Sequence, residues 1–172
     1  MRLKPYILIS CLSLLSVFLL TQISCERDDI CAPDTATTPL LVIAFISAET
    51  AEAEAPVELQ IKGEGIDELL ELGTALDTIR IPLRTNGTLS EFEFTVNSNV
   101  ENDSIPANTD MVSFQYTTVE EYVSSACGFR ATFEGLSATG ENTTDTDTWI
   151  NEIIVQSLNV KDETTTHVLI RH

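Results

Sequence analysis

Basic residues are scarce in this sequence. Nine lysines and arginines stand against 27 aspartates and glutamates, so the 172-residue chain has a formal net charge of −18 at neutral pH. A nucleic-acid site needs clustered cations that neutralise phosphates, and the few here are scattered along the chain. The composition therefore argues against nucleic acid and anionic lipid as partners, and a charged partner should be cationic or a metal.

Catalytic motifs are also missing. The sequence holds no HExxH, GxSxG, P-loop or CxxC pattern, and its two histidines, His167 and His172, lie at the extreme end of the chain. Carboxylates are plentiful, so two of them could meet in the fold at the separation a glycosidase needs, but sequence spacing does not reveal such a pair. We therefore expect a non-catalytic protein without a cofactor.

One long hydrophobic run is present, from Ile7 to Leu20, and it follows Arg2 and Lys4. A positive start and an apolar stretch of this length are typical of a signal peptide and fall short of a membrane-spanning helix. The pattern predicts that residues 1–24 are a targeting segment.

The end of that segment resembles a bacterial lipobox, in which a small residue precedes a cysteine that becomes lipidated. Ser24 and Ile23 fit the pattern, and Gln22 departs from its usual aliphatic residue. The resemblance implies that Cys25 is the lipidated N-terminus of the mature chain. An ordinary cleaved signal and a retained transmembrane anchor are the alternatives.

Acidic residues follow Cys25 directly. Glu26, Asp28 and Asp29 resemble the acid-rich signal that exports lipoproteins to the surface of Bacteroidota cells, and a solvated tether is the alternative. The predicted location is the outer membrane, on its periplasmic or its surface-exposed face. Two acylated chains are enough to hold a soluble domain on a bilayer.

The mature chain suits one domain. Removing residues 1–24 takes away two of the nine basic residues and no acid, which leaves seven against 27 and a charge of −20. The 148 residues that remain can bury a single core. We expect a lipidated tether over residues 25–39 and one domain over residues 40–172.

The predicted location indicates the chemical state of the cysteines. Cys11 leaves with the signal and Cys25 carries lipid, so Cys31 and Cys127 are the pair that remains in an oxidising envelope. We predict a disulfide between them, with two unpaired buried thiols as the alternative.

Alternating hydrophobic residues predict short strands. The clearest are LLVIAFIS from Leu40, VELQIK from Val57, TIRIPL from Thr78 and the stretch from Leu89 to Val96. Pro82 should confine its strand to an edge or a strand end, and Asn86-Gly87 predicts a hairpin into the next strand.

The second half continues the pattern. We predict a strand from Met111, a turn near Thr118 to Glu121, and a polar loop from Ser137 to Asp147. Ile150 to Leu158 has helical spacing, but its β-branched residues favour a strand. About eight short strands fit an all-β, antiparallel, immunoglobulin-like sandwich, with a small barrel as the alternative.

The order of these features resembles a family of uncharacterised Bacteroidota envelope lipoproteins over essentially the whole mature chain. The motifs that carry the resemblance are CERDDIC, TTPLLVIAF, GEGID, IPLRT, SFQYTTVEEYVSSACGF, the single Trp149 in WINEI, and HVLI. It implies a lipid-anchored β-domain with paired cysteines and no known activity. Family members look like companions of an outer-membrane protein, so an accessory or interaction subunit is the first function hypothesis.

The second hypothesis is a ligand-binding module for calcium or a glycan. Glu141, Asp145 and Asp147 share one predicted loop and carry the oxygen ligands that calcium prefers, but an EF-hand spacing is missing and a solvated acidic loop is favoured. A glycan platform would need exposed aromatics. Trp149 discriminates here, since exposure beside Tyr116 or Tyr122 would indicate a platform and burial would indicate core.

Three triplets match the short Asp-Ser/Thr-aliphatic pattern of O-glycosylation in Bacteroidota envelope proteins. They place the modified hydroxyl at Thr35, Thr78 or Ser104. Ser104 lies in a predicted exposed loop and is the favoured candidate of the three.

Overall fold

The fold is an all-β sandwich, described here from a computed structural model over residues 30–65, 69–70, 76–98, 105–142 and 147–172. The strands of these ranges are β1 (Leu41–Ile46), β2 (Gln60–Gly63), β3 (Thr78–Ile81), β4 (Leu89–Val96), β5 (Asn108–Ser124), β6 (Gly128–Asn142), β7 (Glu152–Val155), β8 (Asn159–Val160) and β9 (Val168–Arg171). One sheet has the order β3-β1-β9-β7 and the other β2-β4-β5-β6-β8. Neither sheet closes into a barrel, which confirms the predicted sandwich.

No helix in the described ranges is long and apolar enough to cross a bilayer.

One strand pair departs from the predicted antiparallel arrangement. β1 and β9 run parallel, with Ile43 opposite Val168 and Ile46 opposite Arg171. A parallel pair needs a long connection between its strands, and here almost the whole domain provides it. The two ends of the domain therefore meet in the middle of one sheet.

The core fills the space between the sheets. Period-2 alternation turns one face of each strand inward, and this buries five phenylalanines and a set of branched aliphatic residues. The fully buried members include Phe45, Phe94, Phe114, Phe133, Leu41, Ile43, Ile61, Ile81, Val112, Leu136, Val168 and Ile170.

The Asn86-Gly87 turn connects the two sheets, so the predicted hairpin is wrong. β3 ends at Ile81, directly before Pro82, and β4 begins in the other sheet. A buried hydroxyl pair holds this crossing, because the backbone N–H of Arg84 donates to Ser90 Oγ at 2.9 Å and the Tyr116 hydroxyl donates to the Arg84 carbonyl at 2.9 Å.

β5 and β6 form a hairpin of 17 and 15 residues. β5 continues through the turn predicted at Thr118 to Glu121, and β6 continues into the predicted loop, so Glu141 lies on a strand.

A register shift between Gln115 and Thr117 is accommodated at Gly135, whose φ of 67° is one that glycine adopts without strain. The pairing of β6 with β8 reaches only Phe133 and Glu134. We call residues 119–132, beyond that pairing, the arm.

The predicted strand from Val57 is shorter than expected. β2 begins at Gln60, because the chain turns at Glu58, which has a φ of 49°. The Val57 carbonyl accepts a hydrogen bond from the Asn97 backbone N–H. Val57 is therefore exposed at the end of β4 that lies farthest from the arm.

Candidate interaction surfaces

A disulfide joins the start of the described chain to the end of the arm. Cys127 lies in the turn between β5 and β6, and its Sγ is 2.05 Å from Sγ of Cys31, with 5.0 Å between the Cα atoms. The predicted pairing is confirmed. It closes a separation of 96 residues and places Cys31 beside the arm rather than on a free tether.

Hydrogen bonds hold the segment that follows Cys31 along the outer edge of β6. The backbone N–H of Ala131 donates to Thr38 Oγ1 at 3.0 Å, and Arg130 Nη1 donates to the Thr37 carbonyl at 3.3 Å. Arg130 also bonds to Glu121 on the opposite strand, with Nη2 and Oε2 2.7 Å apart. The last residues of the predicted tether are thus part of the folded domain.

Two aromatic side chains are exposed near the end of the arm. Tyr122 and Phe129 are direct cross-strand partners, 59% and 65% exposed, and their rings meet edge to face with centroids 5.3 Å apart. They continue the strand face that carries the buried Phe133 and Ala131 nearer the core. The inner face of the sheet therefore extends past the sandwich as an exposed aromatic pair.

A cleft of about 250 Å³ opens where β6 passes β7. Its apolar wall comes from Ala138, Gly140, Ile150 and Ile153. A Cβ atom at Gly140 would lie 3.0 Å from the Ile153 side chain, so glycine lets the two sheets approach closely here. Its polar lining consists of Asp110, Glu141, Thr148, Asn151 and Glu152.

One side of this cleft is an unpaired strand edge. Tyr116 donates its N–H towards β4, to the Thr88 carbonyl. Alternation then turns Phe114 and Val112 towards β4 as well, so their partners on β6, Ala138 and Gly140, point their N–H and C=O groups away from β5. Over the described residues no ladder covers the edge at Ala138 and Gly140, because β8 pairs with Phe133 and Glu134 and the bonding on that side ends at Leu136, whose N–H donates to the Leu158 carbonyl at 2.9 Å.

Asp110 forms the floor of the cleft and is only 2% exposed. Its Oδ2 accepts hydrogen bonds from the backbone N–H groups of Trp149 at 3.0 Å and Ile150 at 2.9 Å. It therefore holds the segment that leads into β7. Asp110 is not among the predicted site residues, although it shares the inward face of β5 with Val112 and Phe114. An acid on a core-facing side of a strand is the signal that could have identified it.

The structure describes two of the three predicted calcium ligands. Glu141 is exposed on β6, and Asp147 is exposed beyond that strand, where its carbonyl accepts a bond from Asn108 Nδ2. Asp145 lies outside the described residues. Across the ranges that the structure describes, no group of three or more histidine, cysteine or acidic residues could hold a metal ion.

Trp149 packs against the core. It is half-buried, its Nε1 donates to the Phe94 carbonyl at 3.1 Å, and its ring stacks on Phe45 with centroids 6.4 Å apart. Tyr116 is buried and Tyr122 lies on the arm. Trp149 thus packs against the core with part of its surface exposed, and its ring neighbours are Phe45 and His172.

The His167 side chain accepts a backbone hydrogen bond from β1, just before the residues of β1 that pair with β9. Its Nδ1 accepts the N–H of Val42 at 3.0 Å and its backbone N–H donates to the Val42 carbonyl at 2.9 Å. Glu163 plays a similar part, because its Oε1 accepts the N–H of Leu40 at 3.0 Å. Burial holds the pKa of His167 below its ordinary value, and the neighbouring charges of Asp162 and Glu163 oppose this only in part.

Acid should therefore destabilise the fold through His167. Below about pH 6.5, the ordinary value for histidine, the unfolded chain binds a proton that the folded chain does not, so unfolding becomes more favourable as the pH falls. We expect chemical denaturation of His167→Gln between pH 7.5 and pH 5 to show a smaller loss of stability than the wild type. His172→Gln removes a histidine without removing this hydrogen bond and should keep the wild-type slope. Equal slopes in all three proteins would contradict the assignment.

The candidate modification sites occupy different settings. The Thr35 hydroxyl lies 3.6 Å from Cys127 Sγ and is half-buried beside the disulfide. Thr78 begins β3, opposite Ala44, and is also half-buried. The other predicted positions lie outside the described residues, namely Cys25, Glu26, Asp28, Asp29 and Ser104.

Comparison with known proteins gives one match. A family model described as "Family of unknown function (DUF6452)" matches residues 58–172, which include every strand from β2 to β9. No curated protein and no solved structure matches the chain.

Proposed function

Since the chain belongs to a family of unknown function (DUF6452), we propose its role from its own geometry: a non-catalytic, lipid-anchored envelope protein that binds a protein partner through the open edge of β6. The proposal places it, as an accessory subunit, at the outer membrane of a Bacteroidota cell. The lipobox-like Cys25 supports the anchor, and the strand edge supports the interaction.

The observation that carries the proposal is the cleft between β6 and β7. A strand edge presents a row of donors and acceptors, and an extended segment of another protein can pair with it as an added strand. Ala138 and Gly140 supply such groups on β6, and Ile150 and Ile153 supply an adjacent apolar wall. Edge and wall together match the two requirements of strand addition, main-chain pairing and side-chain pockets.

Charge selects the kind of segment that would fit. Glu141 and Glu152 line the cleft and are exposed, and the chain as a whole carries a net charge of −18. Arg171 neutralises part of the negative charge of the cleft, because its Nη1 donates to Glu152 Oε2 at 2.9 Å. Complementary potentials favour a partner strand that carries lysine or arginine beside its apolar residues.

Photo-crosslinking from the cleft tests the proposal. The protein is expressed in its native cells with a photoreactive phenylalanine analogue in place of Glu141. Illumination should yield a crosslinked product with one envelope protein. The same analogue replacing Glu49, an exposed acid in the loop after β1, should not yield it. Mass spectrometry of the product should place the crosslink in an extended basic segment of the partner.

A substitution on the edge provides the matched control. Ala138→Pro removes an outward N–H that the β5–β6 ladder does not use, so the hairpin should form while the partner loses a hydrogen bond. Ala138→Ser keeps the N–H and should keep the crosslink. A product that survives Ala138→Pro, or that forms equally well from position 49, would refute binding at this edge.

A further inference from the structure

The exposed aromatic pair on the arm is not used by the proposed function. The β6 edge that forms the cleft, residues 137–142, lies beyond the register shift at Gly135, whereas Tyr122 and Phe129 lie near the opposite end of the same hairpin. Large apolar side chains that are more than half exposed and packed on each other are typical of a contact surface. Their surroundings indicate which surface they meet.

The disulfide ties this end of the arm to the chain that leads back to Cys25. Cys127 is the last residue of the three-residue turn after β5, the strand that carries Tyr122. Its partner Cys31 is six positions after Cys25. An extended chain covers about 3.3–3.6 Å per residue, so six residues span roughly 20 Å at most. A lipid on Cys25 would therefore hold the end of the arm within about 20 Å of the bilayer surface.

The charges near the end of the arm are partly neutralised. Arg130 pairs with Glu121, so these two charges neutralise each other, and Glu120 on the arm and Asp34 in the segment after Cys31 are left as exposed acids. Ile30, next to Cys31, is 81% exposed and adds an apolar side chain beside the disulfide. A tyrosine with an apolar body and a polar hydroxyl suits the boundary between lipid and water.

We propose that Tyr122 and Phe129 form a membrane-contact site that inserts into the interface of a zwitterionic bilayer and orients the anchored domain with its arm towards the lipid. The inference rests on the lipid anchor of the proposed function. It adds a second point of attachment, so the domain stands in one orientation instead of rotating freely about its tether. In that orientation the Val57 end of the sandwich faces away from the membrane.

Quenching by brominated phosphatidylcholine tests this contact. The lipidated full chain carrying Phe129→Trp is reconstituted into phosphatidylcholine vesicles with or without bromine on the acyl chains. We expect brominated lipid to lower the emission of this variant beyond the small change seen in the wild type, which reports on Trp149 alone. The control is Val57→Trp, because Val57 is 62% exposed at the opposite end of β4 and should show no added quenching.

Two further measurements separate the possible failures. The difference in flotation between wild type and Cys25→Ser reports on the anchor, so a wild type that floats no better than Cys25→Ser overturns the anchor and the membrane contact that depends on it. If the wild type floats but Trp at position 129 is quenched no more than Trp at position 57, the membrane contact is wrong and the anchor stands. If a photoreactive phenylalanine analogue at position 129 instead crosslinks to an envelope protein, while Trp at position 129 is quenched no more than Trp at position 57, the arm binds protein and the membrane contact is again refuted.

Discussion

Loss of the Cys31–Cys127 disulfide is expected to lower the free energy of unfolding by about 4 to 5 kcal/mol. The bond closes a loop with a sequence separation of 96 residues, and in the chain-entropy model a loop of that length strongly restricts the unfolded chain. The bond also holds the arm to the segment in which Thr37 and Thr38 contact Arg130 and Ala131. Those contacts should loosen when it is removed.

Chemical denaturation of Cys31→Ser, Cys127→Ser and the double variant measures this effect. Each single variant should lose about as much stability as the double one, because either substitution removes the whole bond. Cys25→Ser serves as the control that changes a cysteine outside the pair, and reducing agent should convert the wild type to the behaviour of the double variant. An unchanged unfolding midpoint on reduction would show that the bond contributes nothing to stability.

Replacement of Asp110 by alanine should cost about 3 kcal/mol. The carboxylate accepts two backbone N–H groups, those of Trp149 and Ile150, in a site where the side chain is almost completely buried. Alanine would leave both donors without their acceptor and free the segment that carries Trp149 against Phe45. Asp110→Asn retains a carbonyl oxygen and should lose less, since a neutral acceptor forms weaker hydrogen bonds than a charged one.

Denaturation of both variants beside Glu93→Ala checks this role. Glu93 lies on the neighbouring strand β4, opposite Met111, and its removal takes away an acid without removing an acceptor from a buried main chain. Its effect should stay within about 0.5 kcal/mol, as for an ordinary surface substitution. The role assigned to Asp110 is wrong if Asp110→Ala and Glu93→Ala lose the same small amount.

Loss of the disulfide and loss of the Asp110 carboxylate should affect different proposed surfaces. The disulfide positions the arm, whereas Asp110 forms the floor of the β6–β7 cleft. A cysteine variant should therefore disturb the membrane contact of Tyr122 and Phe129 first, and an Asp110 variant should disturb the strand edge first. The two substitutions thus provide separate controls for the two surfaces.

The sequence alone was sufficient for the positions of most strands, for their inward faces and for the disulfide. Phe92, Phe94 and Val96 alternate with polar residues, and this period is a local property that the backbone imposes on any strand. Pro82 lacks a ladder donor and does end its strand at Ile81. The cysteine pair followed from the compartment that the signal-like segment indicates, since two cysteines remained to be joined.

Only the tertiary structure decided which strands pair and where. Asn86-Gly87 has the chemistry of a hairpin turn, but Ser90 and Tyr116 hold the chain as it crosses to the other sheet. Likewise, nothing local pairs β1 with β9 in parallel, lengthens β6 to Asn142, or sets Gly140 under Ile153 to form the cleft. The alternation of side chains is a property of a few consecutive residues. Strand pairing and exposure depend instead on contacts between residues distant in the chain, and these contacts form only when the whole core packs.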